Sequence, residues 1–135
     1  MAVLVYAGAM PGPAKCPCGT GEPVAACCGR LHSGRQTAAT AEQLMRSRYS
    51  AFALGEEAYL LSSWHPSTRP ERVRVDAAQE WTHLEIVGRT GGGPFHAEGT
   101  VEFRAHYRAG GRDGVLHENS RFVREDGEWR YVEAL

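Results

Sequence analysis

The residues of this chain best suited to chemistry are its four cysteines. All fall within thirteen positions: Cys16-Pro17-Cys18, eight further residues, then Cys27-Cys28. Thiolates at this spacing can close one tetrahedral shell, and Zn²⁺ is the ion that an all-sulfur shell suits best. Gly19, Gly21 and Pro23 in the spacer let the chain turn sharply and bring the two pairs together. One zinc ion held by Cys16, Cys18, Cys27 and Cys28 is therefore the leading reading. Disulfides are a second reading. Residues 1–14, however, lack the charged start and apolar centre of a secretory signal, and adjacent cysteines such as Cys27 and Cys28 bridge each other only under strain. A redox relay through Cys16 and Cys18, or thiols without a role, are the remaining readings; a relay leaves Cys27 and Cys28 unexplained.

A second group with chemical potential lies further along and depends on the elements that would position it. Thr40 with Gln43 three residues later matches a capping box, and Gly55 stands where a helix C-cap belongs. On the helix between them, Ala41, Leu44, Met45, Ala51 and Phe52 share one arc, with Arg46 and Ser50 pointing away. Arg48 projects from the middle of the apolar arc. A guanidinium there must be paired, snorkel at the helix edge, or line a wet cavity. A short second helix is expected from Glu56 to about Ser63, burying Tyr59, Leu60 and Trp64, and ended by Pro66 and Pro70.

The rest reads as antiparallel β-structure. Residues 80–89 alternate weakly, with Thr82, Leu84 and Ile86 on one side. Phe95, Ala97, Val101, Phe103, Ala105 and Tyr107 alternate with polar residues, among them His96 and His106, which are expected on the solvated face. Residues 110–114 form a turn, and residues 115–124 a further strand. Asp126-Gly127 is a two-residue hairpin signal that pairs Glu125 with Glu128, Arg124 with Trp129 and Phe122 with Tyr131. This register puts Leu116, Glu118 and Ser120 on the core side, with His117, Asn119 and Arg121 outward. Glu118 thus becomes a candidate buried partner for Arg48.

The motif Cys16-Pro17-Cys18-Gly19-Thr20-Gly21 … Cys27-Cys28-Gly29 resembles the SEC-C motif, with Cys28 where many members carry His. Beyond it, Leu44-Met45-Arg46-Ser47-Arg48-Tyr49-Ser50-Ala51-Phe52, Trp64-His65-Pro66-Ser67-Thr68-Arg69-Pro70 and Leu116-His117-Glu118-Asn119-Ser120-Arg121-Phe122 are similar to segments of the bacterial YchJ family. The resemblance implies a small N-terminal zinc knuckle joined to an α+β domain of the nuclear-transport-factor-2-like, cystatin-like roll type, with helices packed in the hollow of a bent antiparallel sheet. The expected layout is a flexible leader over 1–14, the knuckle over 15–30, a linker over 31–39 and the main domain over 40–135. Some relatives carry a second cysteine cluster near the C-terminus, which this sequence does not show.

The resemblance implies an architecture rather than an activity. A shell closed by thiolates is structural, not catalytic. By likeness to the SecA module, the knuckle would then be a protein-docking adaptor, with Arg30 and His32 at the contact edge, or else only a brace for the fold. The alternative is a small-molecule-binding or enzymatic cleft in the hollow of the sheet, with Arg48, Tyr49, Trp64, His65, Glu118 and Ser120 as candidates and His65 or Glu118 as acid or base. No nucleophile triad, phosphate loop or histidine metal set favours catalysis. The net charge of −1 argues against bulk attraction to nucleic acid. Near the cysteines, Lys15, Arg30 and Arg35 lack an aromatic residue to stack a base. No apolar run is long enough to span a membrane, and a cytoplasmic location is expected. The outer sheet face around His117 and Arg121 is a candidate homodimer surface.

Overall fold

A computed structural model describes residues 14–135. The leader expected over 1–14 lies, but for Ala14, outside the described residues. Three helices, α1 (Cys28–His32), α2 (Ala41–Leu54) and α3 (Glu57–Ser62), precede four strands, β1 (Gln79–Gly91), β2 (Glu98–Ala109), β3 (Arg112–Glu125) and β4 (Glu128–Ala134). The strands form one antiparallel meander in the order β1-β2-β3-β4. This is the α+β arrangement expected, with α2 laid across the concave face. The core joins Leu44, Met45 and Tyr49 of α2 to Val101 and Phe103 of β2, Phe122 of β3 and Trp129 of β4.

Local chemistry sets the ends of α2. Thr40 Oγ1 accepts a hydrogen bond from Gln43 N at 3.1 Å, and Gly55 closes the helix at φ +76°. The return half of the capping box is displaced by one residue: Gln43 Oε1 accepts from Ala39 N at 2.7 Å, not from Thr40. The β3–β4 hairpin has the register expected from Asp126-Gly127, with Glu125 opposite Glu128, Arg124 opposite Trp129 and Phe122 opposite Tyr131. Beyond Phe122 the register shifts, which lets Tyr131 and Val132 both turn inward.

Three expectations need correction. In β1 the inward residues are Trp81, Leu84 and Ile86, while Thr82 is exposed, because the register shifts between Trp81 and His83. Phe95 belongs to the turn before β2, not to the strand, and is 95% exposed; His96 sits on the same turn, its Nδ1 accepting from Gly93 N at 2.9 Å. Finally, Arg46 and Ser50 do point away from the sheet, but not into solvent. Ser50 is fully buried, because the cysteine module covers the back of α2.

The outer face of the sheet carries a ladder of charged and imidazole groups. His83 and His106 stack at 3.9 Å, His117 Nε2 meets Glu102 at 2.6 Å, and Arg121 pairs with Glu133 at 3.0 Å. No helix among the described residues is long and apolar enough to cross a membrane.

Candidate functional site

The cysteine module is a tight loop followed by a helical turn. Cys16 N donates to Glu22 O at 2.7 Å, and Gly19 and Gly21 take φ of +94° and +85°, a region in which a side chain would be strained. A 3-10 turn at Val24–Ala26 then leads into α1. Gly29 is needed here for space: a Cβ on it would lie 2.7 Å from Val24 O. The four Sγ atoms all lie within 4.8 Å of one another, with Cys18 and Cys27 at 3.5 Å. A tetrahedral ion with bonds of about 2.3 Å separates its sulfurs by about 3.8 Å, so the four thiols fit one metal ion. They form no disulfide.

The electrostatics of the cluster suit a cation. Hydrogen bonding with Cys28 outweighs burial and holds Cys18 down to about 4. The same bond, with burial, pushes Cys28 up, and burial pushes Cys27 up. A bound cation would drive off the protons of the thiols it coordinates. Thr20 Oγ1 lies 3.2 Å from Cys27 Sγ and accepts from Glu22 N at 3.3 Å, so its proton is free to reach sulfur. Thr20 belongs to the cysteine motif, whose spacing alone does not reveal this contact.

The module is fastened to α2. Arg46 Nη1 donates to Cys18 O at 2.7 Å, His32 Nε2 donates to Ser47 O at 2.8 Å, and Leu31 enters the main core. Of the basic residues nearby, Arg30 Nε and Arg35 Nη2 donate to the backbone oxygens of Cys27 and Ala25, both at 3.4 Å.

The second site is a cavity of about 260 Å³ between α2 and the sheet. Arg48, Tyr49, Trp64, Glu118 and Ser120 all line it, so five of the six cleft candidates come together. Met45, Phe52, Trp81 and Phe103 supply apolar walls. Arg48 is 4% exposed, and its partners are not those a buried cation usually takes. Its Nη1 donates to Leu60 O at 2.8 Å and Ser63 Oγ at 2.6 Å. Its Cζ lies over the rings of Tyr131 and Trp64, 4.5 and 5.0 Å from their centroids, the two rings meeting edge to face. Burial lowers its pKa to about 10.

The expected ion pair with Glu118 is not formed. Arg48 makes its polar contacts to α3 and the residue after it, whereas Glu118, on β3, lines the same cavity without pairing with it. The hydroxyls of Tyr49 and Ser120 are buried without a hydrogen-bond partner among the described residues. Burial pushes Tyr49 up to about 12.

His65 is elsewhere. Its Nδ1 accepts from Ser67 N at 3.1 Å and lies 2.7 Å from Ser67 Oγ, while Nε2 donates to Glu125 Oε1 at 2.9 Å. Serine, imidazole and carboxylate in a row invite a nucleophile reading. Here, though, a backbone N–H already takes the Nδ1 lone pair, and neither His65, Ser67 nor Glu125 lines the cavity. The contacts brace the exit of α3, where His65 N donates to Tyr131 O at 2.7 Å and Tyr131 N to Ser63 O at 2.9 Å.

Fold and cysteine site together define a SEC-C-type thiolate module on a nuclear-transport-factor-2-like α+β domain. The family model described as YchJ, middle NTF2-like domain, matches residues 40–134. The chain is 56% identical over 123 residues to a UPF0225 protein of Streptomyces avermitilis, covering 91% of this chain and 85% of that one. It is 53% identical over 124 residues to a UPF0225 protein of Streptomyces coelicolor, covering 92% and 96%. The chain belongs to the YchJ family. Among solved structures, it resembles the solution structure of a SEC-C motif containing protein from Rhodopseudomonas palustris, with TM-score 0.78, 33% identity and coverage of 90% of this chain and 98% of that one. A crystal structure of a SEC-C motif containing protein from Psychrobacter arcticus follows at TM-score 0.73 and 26% identity, covering 88% and 80%.

Proposed function

We propose that this chain is a small-molecule-binding protein whose binding site is the cavity between α2 and the sheet, braced from behind by one structural zinc on Cys16, Cys18, Cys27 and Cys28. The observation that carries this reading is the polar lining of an otherwise apolar hollow. Arg48 and Glu118 line a space that a domain built for stability alone would fill, and Tyr49 and Ser120 of the same lining carry buried hydroxyls without a partner among the described residues. A cavity of about 150 Å³ admits benzene, so the 260 Å³ here has room for a single ring with a short arm. No residue set in the cavity assembles a nucleophile with its base, so binding is the function it supports. Reduced thiolates suit a reducing compartment such as the cytoplasm.

The test is a titration of the zinc-loaded protein with neutral and charged single-ring compounds, followed by tryptophan fluorescence from Trp64 and Trp81. Saturable binding is expected in the wild type and not in Ala105→Leu, which adds bulk to the cavity wall without removing a polar group. Absence of saturable binding by every such compound contradicts the reading.

Protein docking by the knuckle is the second reading. It is favoured by the exposure of residues 19–22 together with Ala25 and Ala26. It predicts that Glu22→Arg abolishes association with a partner while zinc content and melting temperature stay unchanged.

A further inference from the structure

The chemistry of Arg48 narrows the class of ligand. A buried guanidinium is ordinarily neutralised by a carboxylate, since desolvating a cation is costly. Arg48 instead has a backbone carbonyl, a serine hydroxyl and two aromatic faces, all neutral. Among the described residues, its Nε and Nη2 donate to no protein acceptor, and the residue lines the cavity. Two more groups that can donate, the hydroxyls of Tyr49 and Ser120, belong to the same lining and lack partners. The lining thus combines one buried positive charge with donors that have no acceptor among the described residues.

Glu118 is the one carboxylate in the lining. It is half-buried on β3, two residues from Leu116, which is 39% exposed and marks the open end. Tyr131 lines the same cavity, and its phenol is pushed up by burial first and by Glu118 next, with Arg48 pulling the other way. Glu118 therefore guards the mouth rather than neutralising the floor.

We propose that the cavity binds a small organic monocarboxylate, its carboxylate on the guanidinium of Arg48 and its apolar body against Met45, Phe52, Trp81 and Phe103. The inference rests on the reading of this cavity as a ligand site. A carboxylate accepts from a guanidinium through charge-assisted hydrogen bonds, which are stronger than neutral ones. The apolar walls set the ligand body, and the volume limits it to about one ring. Glu118 repels a second negative charge at the mouth, which selects monoanions over dianions.

The experiment is calorimetric titration of the zinc-loaded protein with phenylacetate and with phenylacetamide, which has the same shape but no charge. Phenylacetate is expected to bind about tenfold or more tighter than the amide. Arg48→Met should reduce the acid to the affinity of the amide, and Glu118→Gln should tighten acid binding by removing a like charge. Equal affinity for acid and amide overturns the carboxylate assignment while leaving the cavity as a ligand site. Failure of both to bind overturns the assignment, and the ligand-site reading with it if other neutral rings also fail. Weaker acid binding in Glu118→Gln also overturns it. Should Arg48→Met not fold, the ratio of acid to amide on the wild-type protein decides the question.

Discussion

Three hydroxyls in and around the cavity provide an internal comparison. Tyr49 and Ser120 are 2% and 1% exposed, and their oxygens have no partner among the described residues. Ser63 is 6% exposed, but its oxygen accepts from Arg48 at 2.6 Å and donates to Tyr59 O at 2.7 Å. Leaving a buried hydroxyl unsatisfied costs about 1–3 kcal/mol, while losing a hydrogen bond to a charged group costs about 1.5–3 kcal/mol. Deleting the same atom should therefore act in opposite directions. Tyr49→Phe and Ser120→Ala should each stabilise the ligand-free protein by about 1 kcal/mol, a rise in melting temperature of about 3–5 °C for a chain of this size. Ser63→Ala should destabilise by about 2 kcal/mol, because it leaves a buried guanidinium N–H without an acceptor. Urea unfolding of the zinc-loaded variants, read by circular dichroism with the slopes compared to the wild type, measures all three. A loss of about 1 kcal/mol or more in Tyr49→Phe would refute the reasoning, since it would mean that the phenol oxygen is satisfied in solution.

Metal analysis should find one zinc per chain, and the paired change Cys27→Ser with Cys28→Ser should abolish it. The same change, or a chelator, should lower the melting temperature by several degrees, because Leu31, the Arg46–Cys18 bond and the cover over Ser50 depend on the module. Gly29→Ala should destabilise by about 1–3 kcal/mol through the backbone contact with Val24, as measured by denaturant unfolding. An alkaline titration followed by tyrosinate absorbance should show late ionisation of Tyr49, at about 12, with Tyr59 and Tyr131 also above the ordinary value of 10. Their folded pKa values are raised, so the stability they contribute is whole below pH 10 and lost as pH rises through the folded values; Arg48, depressed to about 10, acts in the opposite sense. Loss of the latest step in Tyr49→Phe checks the assignment.

Short-range chemistry made much of this structure legible in the sequence. Asp126-Gly127 admits few hairpin geometries, so its register placed Phe122, Glu118 and Ser120 on the inner face. The four cysteines announced their cluster because their spacing has few other uses. What escaped depended on partners distant in the chain. Ser50 and Arg46 are small and polar or charged, which reads as a solvent face; a module some thirty residues upstream covers them. Arg48 suggested a carboxylate partner because charges usually pair, whereas a backbone carbonyl, a hydroxyl and two ring faces carry no charge that a sequence reveals. The shift at Trp81 turned the weak alternation of β1 by one residue, and bulges leave no reliable mark in composition.

The central claim is that the hollow between α2 and the sheet receives a ligand. Amide and indole N–H spectra of the ¹⁵N-labelled, zinc-loaded protein, recorded during addition of phenylacetate, test it most directly. The account predicts saturable shifts at the Trp81 indole and at the backbone of Tyr49, Phe103 and Ser120, with the ladder around His106 and His117 unmoved. Shifts confined to that outer face, or none that saturate, would contradict it.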